Sequence, residues 1–220
     1  MNDALFGTPP VEIAPGAVHL PGWLSEEQQI VLVERCREWA RGGMRHHTMP
    51  RGGRMSVGMT ALGLYWRPYA YERVLPDGSP VPPFPEELGD LAVRAVEVAY
   101  GAPPAPEAAP YDVALINFYD AGAHMGMHRD RDEVAREPVV SLSLGDTCVF
   151  RFGNTETRTR PHTDVELRSG DLFVFGGPSR LAYHGVPRTR SGTAPPALGL
   201  VGRLNITLRA SGLPAAPSAP

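Results

Sequence analysis

The chain has 220 residues, 42% of them hydrophobic, and a formal net charge of −3. This length suits one domain with a full hydrophobic core and is short for two. All 21 lysine or arginine positions hold arginine, which excludes a lysine Schiff base and a P-loop lysine as catalytic devices.

The sequence also bears on the compartment in which the protein works. No apolar run approaches the roughly 20 residues that span a bilayer, and the N-terminus lacks the basic start and apolar run of a secretory signal. Cys36 and Cys148 are too few for a disulfide framework, which favours a reducing compartment. We therefore expect a cytoplasmic protein without a membrane partner.

Two helices are predicted in the first half of the chain. Ser25 to Gln28 has the Ser-x-x-Gln form of a capping box, which predicts a helix that runs to about Arg41. Apolar residues at i, i+3 and i+4 predict a second helix over residues 85–100. Residues 1–13 are expected to form an N-terminal arm, 44–84 a connection rich in glycine, proline and aromatic residues, and 211–220 a disordered tail.

From residue 111 onward the pattern changes to short β-strands separated by turn residues. The predicted strands cover residues 114–119, 139–144, 147–152, 163–167, 171–175 and 203–209. Two helices followed by at least six short strands predict an α+β, mainly β fold. Its core is expected to be a double-stranded β-helix, or jelly roll, backed by the two N-terminal helices.

His128 and Asp130 form the sharpest motif in the sequence. In an extended segment, residues two apart point to the same side, so both side chains can bind one metal ion. Two histidines and one carboxylate suit non-haem iron, and His184, 54 residues after Asp130, is the best candidate for the second histidine. A lone His-x-Asp is common by chance. His46 and His47 follow the first helix and are expected at the surface. The remaining histidines that could compete as ligands are His19, His124 and His162.

The strand predicted over residues 203–209 alternates strictly between polar and apolar side chains. An ordinary half-exposed strand would show the same pattern. A face that carries Arg203, Asn205, Thr207 and Arg209 could equally bind a small dicarboxylate, because guanidinium groups pair with carboxylates in a bidentate geometry. Residues 203 and 209 lie about 20 Å apart on an ideal strand, so both could reach one small molecule only by leaning inward.

Taken together, these motifs resemble the AlkB family of iron- and 2-oxoglutarate-dependent dioxygenases, over residues 14–212. The motifs are Asn117-x-Tyr119, His128-x-Asp130-x-Asp132-Glu133, His184 and Arg203-x-Asn205-x-Thr207-x-Arg209. The resemblance implies that His128, Asp130 and His184 are the catalytic ligands of Fe2+, and that 2-oxoglutarate and O2 are cosubstrates. It implies that Arg203 binds the distal carboxylate of 2-oxoglutarate with Asn205 and Tyr119, and that Asn117 and Arg209 lie near the end that chelates iron.

The resemblance also implies a nucleic-acid substrate. The family oxidatively demethylates bases such as N1-methyladenine and N3-methylcytosine in DNA, and releases formaldehyde, succinate and CO2. The implied organisation is one domain over residues 14–210, with a nucleotide-recognition lid at 44–84 and a catalytic jelly roll at 111–210. Trp66 would stack on the base opposite His128, and Asp132 would sense its exocyclic amino group. The other implied substrate contacts are Met59, Tyr71 and Arg158, with Tyr69 as an alternative to Tyr71.

Alternatives remain open at this point. The partner is expected to be alkylated single- or double-stranded DNA bound by a monomer, but the same chemistry could act on RNA, on a tRNA base or on etheno adducts. A non-enzymatic alternative is a jelly-roll module whose histidines and aspartate hold a structural ion. Structural zinc normally takes four Cys or His ligands, and neither cysteine is near the predicted triad in the sequence, which disfavours this alternative.

Overall fold

Two antiparallel β-sheets packed face to face form the centre of the fold. The computed structural model describes residues 9–50 and 52–214, and within them there are 13 strands and two α-helices. The helices are α1 (Glu26–Trp39) and α2 (Glu86–Tyr100). The strands are β1 (Val11–Ala14), β2 (Ala17–Leu20), β3 (Gly58–Leu62), β4 (Tyr65–Arg67), β5 (Ala70–Glu72), β6 (Val113–Tyr119), β7 (Met125–His128), β8 (Val139–Gly145), β9 (Thr147–Phe152), β10 (Thr163–Leu167), β11 (Leu172–Phe175), β12 (His184–Arg190) and β13 (Arg203–Arg209).

The strand order shows how the two sheets are assembled. In the part of the chain that is described, the major sheet has seven strands in the order β1-β2-β11-β8-β13-β6-β3. The minor sheet has four strands in the order β10-β9-β12-β7, and β4 and β5 pair as a separate hairpin. Apart from β1-β2 and β9-β10, neighbouring strands in these two sheets are not consecutive in the chain, as expected for a jelly roll, and the predicted fold class is confirmed.

The two faces of the major sheet pack against different partners. One face contacts the helices, and its core includes Leu32 of α1, Leu91 of α2 and Ile206 of β13. The other face contacts the minor sheet, where the Phe150 and Phe173 rings lie 4.9 Å apart between centroids. The polar residues of the central strands also lie on this second face, so the fold places them between the two sheets.

The predicted helices are confirmed, with small changes at their ends. The Ser25 hydroxyl accepts a hydrogen bond from the Gln28 amide, and the Gln28 side chain accepts one from the Ser25 amide, which forms the predicted capping box. Helix α1 ends at Trp39 and continues as a 3-10 turn over Ala40–Gly42. Helix α2 ends where Gly101 adopts a left-handed conformation, with φ of 75°.

The structure corrects the prediction at both ends of the domain. Residues 11–13, predicted as part of an N-terminal arm, belong to β1, which extends the major sheet by pairing with β2. Ser211, predicted as the start of a disordered tail, is fully buried, and its hydroxyl donates to Asp112. Of the rest of the predicted arm and tail, residues 1–8 and 215–220 lie outside the described residues, whereas residues 9–10 and 212–214 are described.

Several strands were missing from the prediction for identifiable reasons. Strand β3 lies in the segment predicted as a lid, but it is buried along its whole length beside β6, so it lacks an alternating pattern. Strand β12 contains Gly185 and Pro187 and has a register irregularity between Gly185 and Arg188, which makes it resemble a loop in sequence. Strands β4 and β5 have only three residues each.

Two further expectations can be compared with the described residues. Cys36 and Cys148 are both free and buried. Neither helix in the described ranges combines the length and the apolar character that are needed to span a bilayer.

Candidate active site

A cavity of about 550 Å³ opens between the two sheets. This volume lies in the range of pockets that bury small organic ligands. Twelve of the thirteen residues predicted for the site line it, and the exception is Tyr71. The twelve are Met59, Trp66, Asn117, Tyr119, His128, Asp130, Asp132, Arg158, His184, Arg203, Asn205 and Arg209.

The fold brings His128, Asp130 and His184 together from distant parts of the chain. His128 ends β7 and His184 begins β12, and the two residues are direct partners in the antiparallel pairing of these strands. One ligand atom from each of the three residues lies within 4.8 Å of the others. His128 Nε2 and His184 Nε2 each lie 3.6 Å from a different carboxylate oxygen of Asp130.

Hydrogen bonds orient both imidazoles toward a common point. His128 Nδ1 bonds to the carbonyl of Gly126, and His184 Nδ1 bonds to the carbonyl of Ala182, each at 3.0 Å. These carbonyls require Nδ1 to carry the proton, so Nε2 keeps its lone pair for a metal. Asp130 Oδ2 is buried and forms an ion pair with Arg209, whose Nη2 lies 2.8 Å away.

The electrostatics of the triad favour metal binding at neutral pH. Burial alone would raise the pKa of Asp130, but Arg209 and the two histidines outweigh burial and hold that pKa well below its ordinary value. Burial is the main cause that lowers the pKa of His184 to about 4, and His128 lowers it further. An ionised carboxylate and a neutral imidazole are the forms that bind a metal ion, and two histidines with one carboxylate are the ligand set typical of non-haem Fe(II).

Strand β13 divides its side chains between the core and the cavity. Leu204, Ile206 and Leu208 pack in the core beneath the helices, whereas the polar residues between them line the cavity. The alternation in the sequence therefore marks both a core face and a face that lines the cavity.

Arg203 is a buried cation without a counter-charge among the described residues. Its side chain is 1% exposed, Nη2 donates to the Ser143 hydroxyl at 3.0 Å, and Nε has no partner. Its guanidinium carbon lies 5.4 Å from the centroid of the Tyr119 ring. Because an unpaired buried charge is costly, this arrangement indicates a site for an anionic ligand.

Two asparagines join β13 to the neighbouring strands β6 and β8. Asn117 Nδ2 lies 3.3 Å from Asn205 Oδ1, and Asn205 Nδ2 donates to the Ser141 hydroxyl and the Leu142 carbonyl. Asn117 Oδ1 is buried and has no partner in the described part of the chain. The amides therefore leave one acceptor free toward the cavity.

Arg209 belongs to a buried network that the sequence analysis did not predict. Its Nη2 lies 2.8 Å from Asp130 Oδ2, and its Nη1 donates to Glu133 at 3.0 Å. Glu133 also accepts hydrogen bonds from Arg180 at 3.1 Å and from the Tyr71 hydroxyl at 2.5 Å. Burial would raise the pKa of Glu133, but Arg209, the Tyr71 hydrogen bond and Arg180 together outweigh burial and hold the pKa below its ordinary value.

This network accounts for the position of Tyr71, which the sequence placed at the substrate. The Tyr71 hydroxyl is bound to Glu133 and Arg209, and the side chain does not line the cavity. Tyr69, the alternative considered from the sequence, lines the cavity and is 58% exposed. Tyr69 follows Pro68 in the β4–β5 turn and has φ of 73°, a conformation usually taken by glycine at this point of such a turn. Strain of about 1–3 kcal/mol at such a residue is typical of functional sites.

Trp66 is held at the cavity by two contacts. Its Nε1 donates to Asp132 Oδ2 at 2.9 Å, and the ring of His47 packs edge-on against the indole with 5.3 Å between centroids.

The expectation that His46 and His47 both lie at the surface is wrong for His47, which is only 6% exposed, whereas His46 is exposed. His47 is buried because the β4–β5 hairpin folds over it, and nothing in the local sequence signals this contact.

Comparisons with known proteins agree with this geometry. The sequence matches the family model of the 2OG-Fe(II) oxygenase superfamily over residues 16–209. It is 41% identical to the "Alpha-ketoglutarate-dependent dioxygenase AlkB homolog" of Caulobacter vibrioides over 208 residues, and this alignment covers 91% of this chain and 90% of that protein. It is 33% identical to the "DNA N(6)-methyladenine demethylase ALKBH1C" of Arabidopsis thaliana over 223 residues, and this alignment covers 90% of this chain and 49% of that protein. The solved structure of OsALKBH1 matches with a TM-score of 0.78 and 34% identity, over 91% of this chain and 99% of that one.

Proposed function

Because the chain belongs to the 2OG-Fe(II) oxygenase superfamily and is an Fe(II)/2-oxoglutarate-dependent dioxygenase of the AlkB type, we propose that it oxidatively demethylates N1-methyladenine and N3-methylcytosine in DNA. The products would be the repaired base, formaldehyde, succinate and CO2. We further propose that it acts as a monomer in the cytoplasm. The observation that carries the proposal is the hydrogen-bonded pair of Trp66 and Asp132 in the same cavity as the metal-binding triad.

His128, Asp130 and His184 would hold the iron. When bound, Fe2+ supplies the oxidising chemistry with O2 and 2-oxoglutarate, and the protein supplies binding and orientation. The Nδ1 hydrogen bonds fix both imidazoles, and Arg209 keeps Asp130 ionised and in place. These contacts support the ligand roles because they leave three metal-binding atoms directed at one point.

The two arginines of β13 would bind opposite ends of 2-oxoglutarate. Arg203 has no counter-charge in the described residues, which supports its pairing with the distal carboxylate, beside Tyr119 and Asn205. Arg209 lies against Asp130, which supports a position near the end of the cosubstrate that meets the metal, together with Asn117. Both side chains lean into one cavity, as the length of the strand requires.

The base would lie between an aromatic surface and a hydrogen-bond acceptor. Trp66 offers an indole face that its bond to Asp132 fixes in orientation. Asp132 Oδ1 makes no hydrogen bond within the described residues, so it can accept one from an exocyclic amino group. Adenine and cytosine both carry such a group, and a methylated Watson–Crick edge becomes accessible only when the base leaves the stack. Met59 and Arg158 also line the cavity and are proposed substrate contacts.

The test is formaldehyde release from oligonucleotides that carry one methylated base. The complete mixture with Fe2+ and 2-oxoglutarate should release formaldehyde, and mixtures that lack either one should not. Asp132→Asn should lower kcat/KM at least about tenfold, since a charge-assisted hydrogen bond contributes about 1.5–3 kcal/mol. Asp120→Asn is the matched control, because Asp120 is exposed in the turn after β6. Absence of formaldehyde from every methylated oligonucleotide in the complete mixture would overturn the proposal.

N6-methyladenine in DNA is a second candidate substrate. The Arabidopsis relative is named for this activity, and Asp132 would face the nitrogen that carries the methyl group in that lesion. The same assay with N1-methyladenine, N3-methylcytosine and N6-methyladenine, each in matched DNA and RNA strands, ranks these substrates. Faster turnover of N6-methyladenine or of the RNA strands would replace the first proposal with the corresponding alternative.

A further inference from the structure

The segment between β7 and β8, residues 129–138, carries both acidic residues that line the cavity within the described ranges, yet it forms neither a helix nor a strand. These residues are Asp130, which belongs to the metal-binding triad, and Asp132, which bonds to Trp66. Because an irregular segment has no ladder of backbone hydrogen bonds, other contacts must hold the two carboxylates in place.

One buried side chain contacts this segment at three points. Arg180 is 3% exposed, and its Nη1 donates to the carbonyl of Asp130 and its Nε to the carbonyl of Glu137, each at 2.7 Å. Its Nη2 donates to the Glu133 carboxylate at 3.1 Å. The three acceptors are spread along the segment, so one planar guanidinium holds it near both ends.

The contacts of Arg180 continue through Glu133 and return to Asp130. Glu133 also accepts a hydrogen bond of 3.0 Å from Arg209, and Arg209 Nη2 lies 2.8 Å from Asp130 Oδ2. All four residues are buried. The backbone carbonyl and the carboxylate of Asp130 are therefore held by one closed chain of contacts.

Arg180 also connects this segment to the turn that orients His184. It lies four residues before His184 and directly follows the 3-10 turn Gly177–Ser179. The Ala182 amide donates to the Ser179 carbonyl at 2.9 Å, and the Ala182 carbonyl bonds to His184 Nδ1. The side chain that holds the irregular segment thus comes from the same short stretch of chain that fixes the second histidine.

We propose that Arg180 is a positioning residue, which acts through Glu133 and through the carbonyl of Asp130. It holds Asp130 at the distance from His184 that one metal ion requires, and it directs Asp132 toward the base. Lysine has a single charged nitrogen and cannot replace three donors in a plane, so Arg180→Lys keeps the charge and loses the arrangement. This inference rests on the proposed function, because it assigns Asp130 to the metal and Asp132 to the base.

Metal affinity measured without turnover is the first test. Binding of Mn2+, which the same kind of ligand accepts, is followed by the EPR signal of the free ion at a temperature at which every variant is folded. Arg180→Lys should bind Mn2+ about 10- to 100-fold more weakly than wild type, the usual effect of removing a residue that orients metal ligands. His128→Ala should lose Mn2+ binding, which shows that the signal reports the triad.

Gln29→Leu is the control for a loss of stability alone. Gln29 is 8% exposed, bonds to Leu24 and Ser169, and does not line the cavity. This variant should be less stable than wild type and should keep the wild-type affinity for Mn2+.

A double-mutant cycle with Asp132 is the second readout, because a purely structural role would leave its result additive. In the wild-type background, Asp132→Asn should lower kcat/KM at least about tenfold. In the Arg180→Lys background the same substitution should cost less than about threefold, because Asp132 is already displaced. In the Gln29→Leu background the tenfold effect should remain.

Wild-type Mn2+ affinity in folded Arg180→Lys, or the full effect of Asp132→Asn in that background, would overturn the positioning role. If Arg180→Lys does not fold, Glu133→Gln decides instead, because it breaks the carboxylate link to Arg209; unchanged Mn2+ affinity there would equally overturn the role. Any of these results together with formaldehyde release by the wild type would reject the positioning role alone. Weakened Mn2+ binding without formaldehyde release from any oligonucleotide would reject the proposed substrate and leave the positioning of the triad supported.

Discussion

Replacement of Glu133 by glutamine should destabilise the protein strongly, although Glu133 is not a proposed metal ligand. The Glu133 carboxylate has no exposed surface and accepts hydrogen bonds from Arg180, Arg209 and Tyr71. It thereby joins β5, β13 and the segment that precedes β12. The substitution keeps the size of the side chain and removes its charge.

The magnitude follows from what the two arginines lose. In the described residues, the other hydrogen bonds of Arg180 go to the backbone carbonyls of Asp130 and Glu137, so Glu133 is its single carboxylate partner there. Removal of one partner from a buried ion pair costs about 3–5 kcal/mol, and we expect the lower end because glutamine can still accept one hydrogen bond. At about 2–4 °C per kcal/mol for a chain of this size, a loss of about 3 kcal/mol lowers Tm by roughly 6–12 °C.

Thermal and urea unfolding at pH 7 measure this loss, with Glu166→Gln as the matched control. Glu166 pairs with Arg168 and Arg190 at the surface, and such pairs contribute about 0–1 kcal/mol. Burial raises the pKa of Glu133, but Arg209, Tyr71 and Arg180 together hold it below its ordinary value of 4.5. The stabilising contribution of Glu133 is therefore complete above about pH 4.5 and is lost as the pH falls through the native pKa. The difference in stability between wild type and Glu133→Gln should therefore shrink below pH 4.5. A Tm within 2 °C of wild type, or an equal loss in Glu166→Gln, would refute this reasoning.

Three further substitutions test the site. His128→Ala should keep the fold, because its side chain is about one-third exposed, and should lose iron as measured by metal analysis of the purified protein; full iron content would remove His128 from the ligand set. Arg203→Lys keeps the charge but not the planar fork, so KM for 2-oxoglutarate should rise about 10- to 100-fold. An unchanged KM would argue against the proposed pairing. Burial, with Arg45 and His46, lowers the pKa of His47 in the folded protein. Neutral His47 therefore contributes to the stability of the fold above about pH 6.5, and this contribution is lost as the pH falls below that value. His47→Phe should therefore lose less stability than wild type between pH 6.5 and 5. His46→Phe should stay much nearer to wild type, because His46 is the smallest of these three causes; identical profiles for all three proteins would contradict this.

Some parts of the fold and site could be predicted because their signal is local. The capping box of α1 lies within four residues, and the alternation of β13 lies within seven. The His128 and Asp130 pair is also local, and the pattern of strand and turn residues after residue 111 indicates short strands. In these cases the sequence spacing equals the period of the element, so the face that each side chain occupies follows directly.

Other parts depend on contacts between distant segments. Glu133 and Arg180 are 47 residues apart in the chain, and no spacing rule connects them. His47 is buried only because the β4–β5 hairpin covers it, and the choice between Tyr69 and Tyr71 depends on the turn at Pro68. Strand β12 was missed because Gly185 and Pro187 are tolerated at an irregularity that β9 and β7 impose.

The buried charges around the cavity explain why one strand carries two arginines with different roles. Arg209 is balanced by Asp130 and Glu133, and Arg180 shares Glu133, whereas Arg203 lies 1% exposed without an acidic partner in the described residues. The cluster therefore carries one more positive than negative charge. Fe2+ alone would raise this net charge from one to three, and a dicarboxylate bound with it would bring the net charge back to one. Because unbalanced charge is costly in a buried site, the dicarboxylate should offset the electrostatic cost of binding the metal.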